Sequence, residues 1–218
     1  MLELLILVII AVLAFRATFK VSTGPDDITD KLGNKLGKLW EIAHQGMREN
    51  KMLRAEKALL TILKIDEKNA AAYNRLGILY AKQKEYKDAI DCFEIASSIE
   101  KSASSLHNLG LIYYETSNYQ KAAVAFEEAL ILEDDLAARH IAYAKVQEKM
   151  GNNKKMIAEL ERAAELEPTN ETHSLLMRAY DQDGSEAKAA ALRETLRRSA
   201  LAKKQPPKKV QRPKRVII

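Results

Sequence analysis

The chain has 218 residues, of which 47% are hydrophobic and 30% are charged, and its formal net charge is +5. Its single cysteine, Cys92, excludes an intrachain disulfide, and nothing in its cysteine usage points to an oxidising compartment. Nine basic residues and no acidic residue lie between Arg197 and Arg215, which leaves the preceding part of the chain at about −4.

The chain begins with an apolar run, Met1–Phe15, in which Glu3 is the only charged residue. A spanning helix normally needs about 20 residues. Continuation to Phe19 gives a helix of about 28 Å, which is long enough if the flanking basic side chains extend to the lipid headgroups. We therefore predict a transmembrane anchor at residues 1–19. A cleaved signal peptide is the alternative, although no basic residue precedes the run and no clear small-x-small site follows it.

Basic residues follow the apolar run and none precedes it. The positive-inside rule therefore predicts that the remainder of the chain is cytoplasmic, and we expect the membrane to be a bacterial-type inner membrane. Residues 20–35 contain Gly24-Pro25 and Gly33 and are predicted to form a linker, with three aspartates that could cap a short helix start. The basic residues are Arg16, Lys20, Lys31, Lys35 and Lys38.

Residues 70–136 contain the same pattern twice, at an interval of 33 positions. In each copy the apolar residues recur three or four apart, as on one face of a helix, so each copy predicts two amphipathic helices joined by a short turn. One such hairpin leaves an apolar face uncovered and needs neighbouring hairpins. The equivalent residues are Leu76-Gly77 and Leu109-Gly110, Tyr80 and Tyr113, Tyr86 and Tyr119, Ala89 and Ala122, Phe93 and Phe126, and Ala96 and Ala129.

This order of residues at this period resembles the tetratricopeptide repeat (TPR). The resemblance implies an all-α right-handed superhelix of about ten helices, an α-solenoid. It assigns residues 36–202 to a TPR domain, although the register of its first helix is open by one residue. The repeats are about 36–69, 70–102, 103–136 and 137–170, the last of them degenerate, with a capping hairpin at 171–202.

Gly77 lies inside a predicted helix, where glycine costs about 1 kcal/mol relative to alanine. We expect the compensation to be a close approach of the two helices, with Ala89 as the small partner. Gly110 and Ala122 repeat this arrangement.

In the TPR family the first helix of each repeat lines the concave side. The groove-facing positions carry an apolar stripe with amides, imidazoles and charges beside it, which suits an extended peptide or an amphipathic helix as the protein partner. The basic clamp by which chaperone-binding members hold a terminal carboxylate is missing, so that ligand is disfavoured. The resemblance assigns the protein-binding groove to Trp40, His44, Asn74, Ile78, His107, Leu111, Tyr114, Ile141, Lys145 and Leu175.

Residues 203–218 are predicted to be a disordered basic tail, since Pro206, Pro207 and Pro213 exclude a continuous helix. Such a tail could contact anionic lipid or nucleic acid, or could solubilise the chain without a fixed partner. No aromatic residue lies among the charges, which weakens the case for stacking on single-stranded nucleic acid. The basic residues are Lys203, Lys204, Lys208, Lys209, Arg212, Lys214 and Arg215.

Enzyme and cofactor motifs are missing from the sequence. There is no P-loop and no G-x-S-x-G, and the four histidines fall in different repeats without a second metal ligand at suitable spacing. We therefore expect no catalytic activity, metal or cofactor.

The combined pattern predicts a membrane-anchored TPR adaptor that binds a protein through its concave groove at the cytoplasmic membrane face. Two alternatives are an exported periplasmic TPR protein of envelope or pilus assembly, and an RNA- or ribosome-contacting factor that acts through the basic tail.

Overall fold

The computed structural model describes the backbone of residues 25–204 and the side chains of residues 30–201. Between residues 25 and 204 it contains ten α-helices, which confirms the predicted all-α series of helix-turn-helix pairs. The helices are α1 (Pro25–Arg48), α2 (Met52–Ile65), α3 (Ala70–Gln83), α4 (Tyr86–Ile99), α5 (Ala103–Glu115), α6 (Tyr119–Leu132), α7 (Ala137–Lys149), α8 (Asn153–Leu166), α9 (Asn170–Asp183) and α10 (Glu186–Lys204).

Each pair of helices is joined by a short turn that contains one residue with a left-handed backbone. A left-handed residue reverses the chain within a few residues, and glycine adopts it at the lowest cost. Glycine occupies this position in only the last two pairs. The five residues and their φ values are Asn50 (59°), Lys84 (64°), Ser117 (60°), Gly151 (75°) and Gly184 (78°).

Helix α1 begins at Pro25, so residues 25–35, which the sequence analysis assigned to a linker, are helical. Proline fits the first turn of a helix, and Asp26 and Asp27 favour a helix N-terminus. A single interior glycine such as Gly33 costs only about 1 kcal/mol and does not end a helix.

Two of the predicted segments lie outside the described residues. They are the membrane anchor at residues 1–19 and the basic tail from residue 205 onwards. Helix α10 continues to Lys204, two residues beyond the predicted end of the capping hairpin. None of the helices between residues 25 and 204 combines the length and hydrophobicity that a membrane crossing requires.

The chain divides into two compact units, Met1–Ala72 and Tyr73–Ile218. In the first unit, α1 packs against α2, with Leu59 and Ile62 fully buried. A Cβ added to Gly46 would lie 3.0 Å from the Cβ of Ala55, so glycine permits the close approach of these two helices.

In the second unit each helix packs mainly on its neighbours in sequence, as in a solenoid. Phe93 and Phe126 are fully buried at the centre of one apolar cluster, together with Leu109, Tyr113 and Val146. A second cluster lies between α7, α8, α9 and α10, and its core is Met156, Leu160, Leu176, Tyr180 and Ala189.

The two repeated glycines of the second unit each contact a phenylalanine ring. A Cβ on Gly77 would lie 2.6 Å from Cε1 of Phe93, and one on Gly110 would lie 2.9 Å from Cε2 of Phe126. The nearest atoms thus belong to the phenylalanine rings and not to Ala89 or Ala122, the small partners that the sequence suggested. The ring occupies the space that a side chain at the glycine would take.

Among the described side chains, a hydrogen bond from tyrosine to glutamate joins α5 to α4 and another joins α9 to α8. The hydroxyl of Tyr113 donates to Oε1 of Glu94 on the preceding repeat, at 2.7 Å. Burial, followed by this bond, raises the pKa of Tyr113 to about 12. Two repeats further on, the hydroxyl of Tyr180 donates to Glu161. A lysine lies over each tyrosine ring, with Nζ 5.2 Å from the centroid for Lys121 and 4.9 Å for Lys188.

The glycine contacts predict opposite effects for two similar substitutions. Gly77→Ala gains about 1 kcal/mol of helix propensity, but its methyl group overlaps the fully buried Phe93 ring, and overpacking costs about 1–3 kcal/mol. We therefore expect a lower melting temperature and a lower free energy of unfolding. Gly37→Ala is the control, because nothing lies within 4 Å of its added Cβ. It should stabilise the protein, and a stabilising effect of Gly77→Ala would contradict the steric role of the phenylalanine.

Candidate functional site

The predicted groove residues all lie on the first helix of a pair, namely α1, α3, α5, α7 or α9. None of them is fully buried. In the first unit the rings of Trp40 and His44 are one helical turn apart, with centroids separated by 5.9 Å. Trp40 is half-buried and His44 is exposed.

In the second unit an amide pair joins α3 to α5. Nδ2 of Asn108 donates to Oδ1 of Asn74 at 3.1 Å. The two residues are 34 positions apart, so this bond connects the first helices of successive repeats. Asn74 is therefore held in place by the next repeat, and its half-buried amide has one of its hydrogen-bonding atoms occupied.

The apolar residues of the predicted groove differ in accessibility. Ile78 and Tyr114 are half-buried and pack against the central apolar cluster, and the ring of Tyr114 lies 5.7 Å from that of Tyr119. Leu111 is 38% exposed. Leu111 is thus the apolar residue of α5 that a ligand can reach without displacing the core.

Ile141, Lys145 and Leu175 line one small cavity between α7 and α9. Its volume is about 60 Å³, which is room for a small group or a few water molecules. At its edge Nε2 of Gln182 donates to Oε1 of Glu148 at 3.4 Å. The structure therefore brings these three predicted residues together, but not in a pocket that could hold a whole peptide.

His107 is half-buried, and its ring meets that of Phe126 edge-on at a centroid distance of 5.4 Å. Its Nδ1 atom is buried and has no hydrogen-bond partner among the described residues. Burial, and then the charge of Arg139, lowers the pKa of His107. The neutral imidazole is therefore favoured in the folded protein.

Two buried polar residues that the groove prediction did not include hold the loop between α6 and α7. Arg139, only 2% exposed, donates to the backbone oxygen of Glu133 and, at 3.1 Å, to its carboxylate. His140 places Nδ1 2.7 Å from Oε2 of Glu159 and Nε2 2.9 Å from the backbone oxygen of Asp134. The adjacent Arg-His pair after an acidic loop is the sequence signal that could have indicated these contacts.

The described side chains provide no evidence for a metal centre or a reactive thiol. Among residues 30–201, no three histidine, cysteine, aspartate or glutamate side chains are grouped so that they could hold a metal. Cys92 is buried, and burial, with a smaller effect of Asp88 and Asp91, raises its pKa to about 11. Its thiol is therefore protonated at neutral pH, and the thiolate is the reactive form.

Two family models match the sequence. The tetratricopeptide repeat matches residues 68–132, and the bacterial transcriptional activator domain matches residues 106–205. No curated protein sequence matches the chain significantly.

Solved structures share the fold at low sequence identity. A crystal structure of MamA protein aligns with a TM-score of 0.70 and 21% identity, over 80% of this chain and 97% of that one. MamA from Desulfovibrio magneticus RS-1 aligns with a TM-score of 0.70 and 14% identity, over 78% and 98%. YrrB, described as a TPR protein with an unusual peptide-binding site, aligns with a TM-score of 0.59 and 19% identity, over 69% and 78%.

These likenesses establish the fold. They agree with the series of helix pairs described above. Residues 68–132 match the tetratricopeptide repeat, and the part of the chain between residues 25 and 204 has the all-α TPR-like fold of these solved structures.

Proposed function

We propose that the protein is an adaptor that binds a protein partner along the first-helix face of α3, α5, α7 and α9. The observation that supports this is the exposure pattern of α5. Leu109 and Tyr113 are buried in the core, whereas Leu111, between them, is 38% exposed. An exposed leucine flanked by half-buried His107 and Tyr114 is an apolar contact site with polar groups beside it.

An extended peptide or an amphipathic helix is the partner that this face fits best. Both present side chains at regular intervals to a groove lined by apolar and polar groups. YrrB, a solved structure of similar fold, is described as having a peptide-binding site. That description supports a peptide-like ligand for this chain, although it does not identify the residues involved.

The proposal places the adaptor on a membrane through residues 1–19, with the repeats on the cytoplasmic side. This part rests on the sequence alone, namely the apolar run Met1–Phe15 and the basic residues that follow it. A tethered adaptor would concentrate its partner at the membrane surface.

The groove predicts separate effects for neighbouring residues of α5. A photo-crosslinking residue at position 111, in intact cells, should capture the partner, and Leu111→Ala should then weaken binding of the purified partner by about 2 kcal/mol, or about 30-fold. Leu109→Ala should lower the melting temperature instead, because Leu109 is buried in the core.

Ile131 provides the matched control for the groove test. It is a large apolar residue on α6 with 78% exposure and does not belong to the proposed face. Ile131→Ala should leave both binding and stability unchanged. Partner capture at position 131 but not at position 111 would place the ligand on the other face of the repeats and refute the assignment.

The proposed membrane anchor at residues 1–19 predicts how the full chain behaves in cells. The protein should sediment with membranes and resist carbonate extraction, and the repeats should be digested only when protease reaches the cytoplasmic side. A mature form that begins after Ala17, or repeats protected inside intact cells, would favour the exported alternative. Capture of RNA that is lost with residues 203–218 and with added salt would favour the RNA-contacting alternative.

His107 predicts a pH dependence of stability. Because its pKa is lowered in the folded protein, its contribution is complete above about pH 6.5, the unfolded value, and is lost as the pH falls towards the folded pKa. His107→Asn, which copies Asn74 at the equivalent position, should therefore reduce the loss of stability between pH 7.5 and pH 5. Urea unfolding at the two pH values measures this. His44→Asn controls for removal of an imidazole, and an equal effect of both variants would contradict the role of His107.

A further inference from the structure

A cleft of about 650 Å³ lies where α7 and α9 begin and α10 approaches its end. We call it the terminal cleft. Its lining includes Ala138 and Ile141 from α7, Glu167 and Pro168 from the preceding loop, Glu171 from α9 and Ser199 from α10. It thus combines an apolar wall with two carboxylates.

The C-terminal part of helix α10 lies beside this cleft. Oγ of Ser199 donates to Oδ1 of Asn170 at 3.0 Å, which fixes this part of α10 beside the first residue of α9. Lys204, the last residue of the helix, is five residues further on, a distance of about 7.5 Å along the helix. The residues that follow Lys204 therefore leave the domain close to the terminal cleft.

The cleft is acidic, and its carboxylates are not neutralised by the described chain. Glu167 and Glu171 are exposed, and neither forms an ion pair with any described cation. Asp135, three residues before Ala138, is also exposed. Ion pairs of exposed groups are individually weak, so complementarity here requires several cations on one segment.

Residues 205–218 supply such a segment. They contain five basic residues and no acidic one, and they close with the apolar residues Val216, Ile217 and Ile218. Pro206 and Pro207 cannot continue α10, and 14 residues can reach about 46 Å, far more than the cleft requires. The basic residues are Lys208, Lys209, Arg212, Lys214 and Arg215.

We propose that residues 205–218 dock in the terminal cleft of their own chain. The basic side chains pair with Glu167 and Glu171, and the apolar residues cover Ile141 and Pro168. The docking proposal does not depend on the adaptor function proposed above. It affects that function, however, because Ile141 also belongs to the proposed groove. The docked segment would therefore occupy the end of the groove that adjoins the cleft.

Zero-length carbodiimide crosslinking of the full chain tests the docking. Lysines 208, 209 and 214 should couple to Glu167 and Glu171 more than to Glu85 and Asp88, which are exposed carboxylates at the opposite end of the helix pairs. A mixture of isotope-labelled and unlabelled protein shows whether both ends belong to one chain. Coupling between different chains, or equal coupling to both carboxylate pairs, would overturn the proposal.

Protease sensitivity gives a second, independent measurement. Glu167→Gln with Glu171→Gln should speed tryptic cleavage after Lys208 and Lys209 by about two- to ten-fold, because the cations lose their partners. Salt at 1 M should have a similar effect on the wild type. Glu85→Gln with Asp88→Asn changes the charge equally at the control site and should leave the rate unchanged. Equal rates in wild type and the Glu167/Glu171 variant would show that the segment is not docked there.

Discussion

The contact between a phenylalanine ring and a glycine backbone sets the spacing of the helices in the two regular repeats. Phe93 and Phe126 are fully buried, and each ring lies where a side chain on Gly77 or Gly110 would otherwise be. A large ring against a bare glycine backbone occupies the space between the two helices, in keeping with the close packing of protein interiors. The opposite face of the first helix, which points away from the ring, is therefore not needed for this packing.

Polar contacts between repeats also fix how each repeat is aligned on the next. The same tyrosine-to-glutamate hydrogen bond joins neighbouring repeats at two junctions, which lie two repeats apart. The pairs are Tyr113 with Glu94 and Tyr180 with Glu161. The intervening junction lacks it, since the equivalent position is Gln147, which is buried and bonded to Asn152. A buried hydroxyl that lost its acceptor would cost more than the bond contributes, so these pairs disfavour a shifted arrangement of the helices.

The repeats could be predicted from the sequence because their signal is periodic at two scales. Apolar residues three or four apart define each helix, and the 33-residue interval defines each pair. Individual side-chain hydrogen bonds could not be predicted, because they depend on how closely the helices and loops approach one another. Examples are the bonds between Arg139 and Glu133 and between Asn108 and Asn74. At residues 25–35 proline and glycine suggested a linker, and the structure has a helix there, which the local signals did not reveal.

For the groove, the sequence predicted positions but not accessibility. Ile78, Leu111 and Tyr114 look equivalent as apolar residues on first helices, yet Ile78 and Tyr114 also pack on the core while Leu111 is open. Replacing either of the first two would therefore change stability together with any binding at the proposed groove. Leu111 lies on α5, and towards α9 the proposed groove adjoins the terminal cleft through Ile141. Under the proposed function, contact at Leu111 and access near Ile141 would therefore depend on different residues.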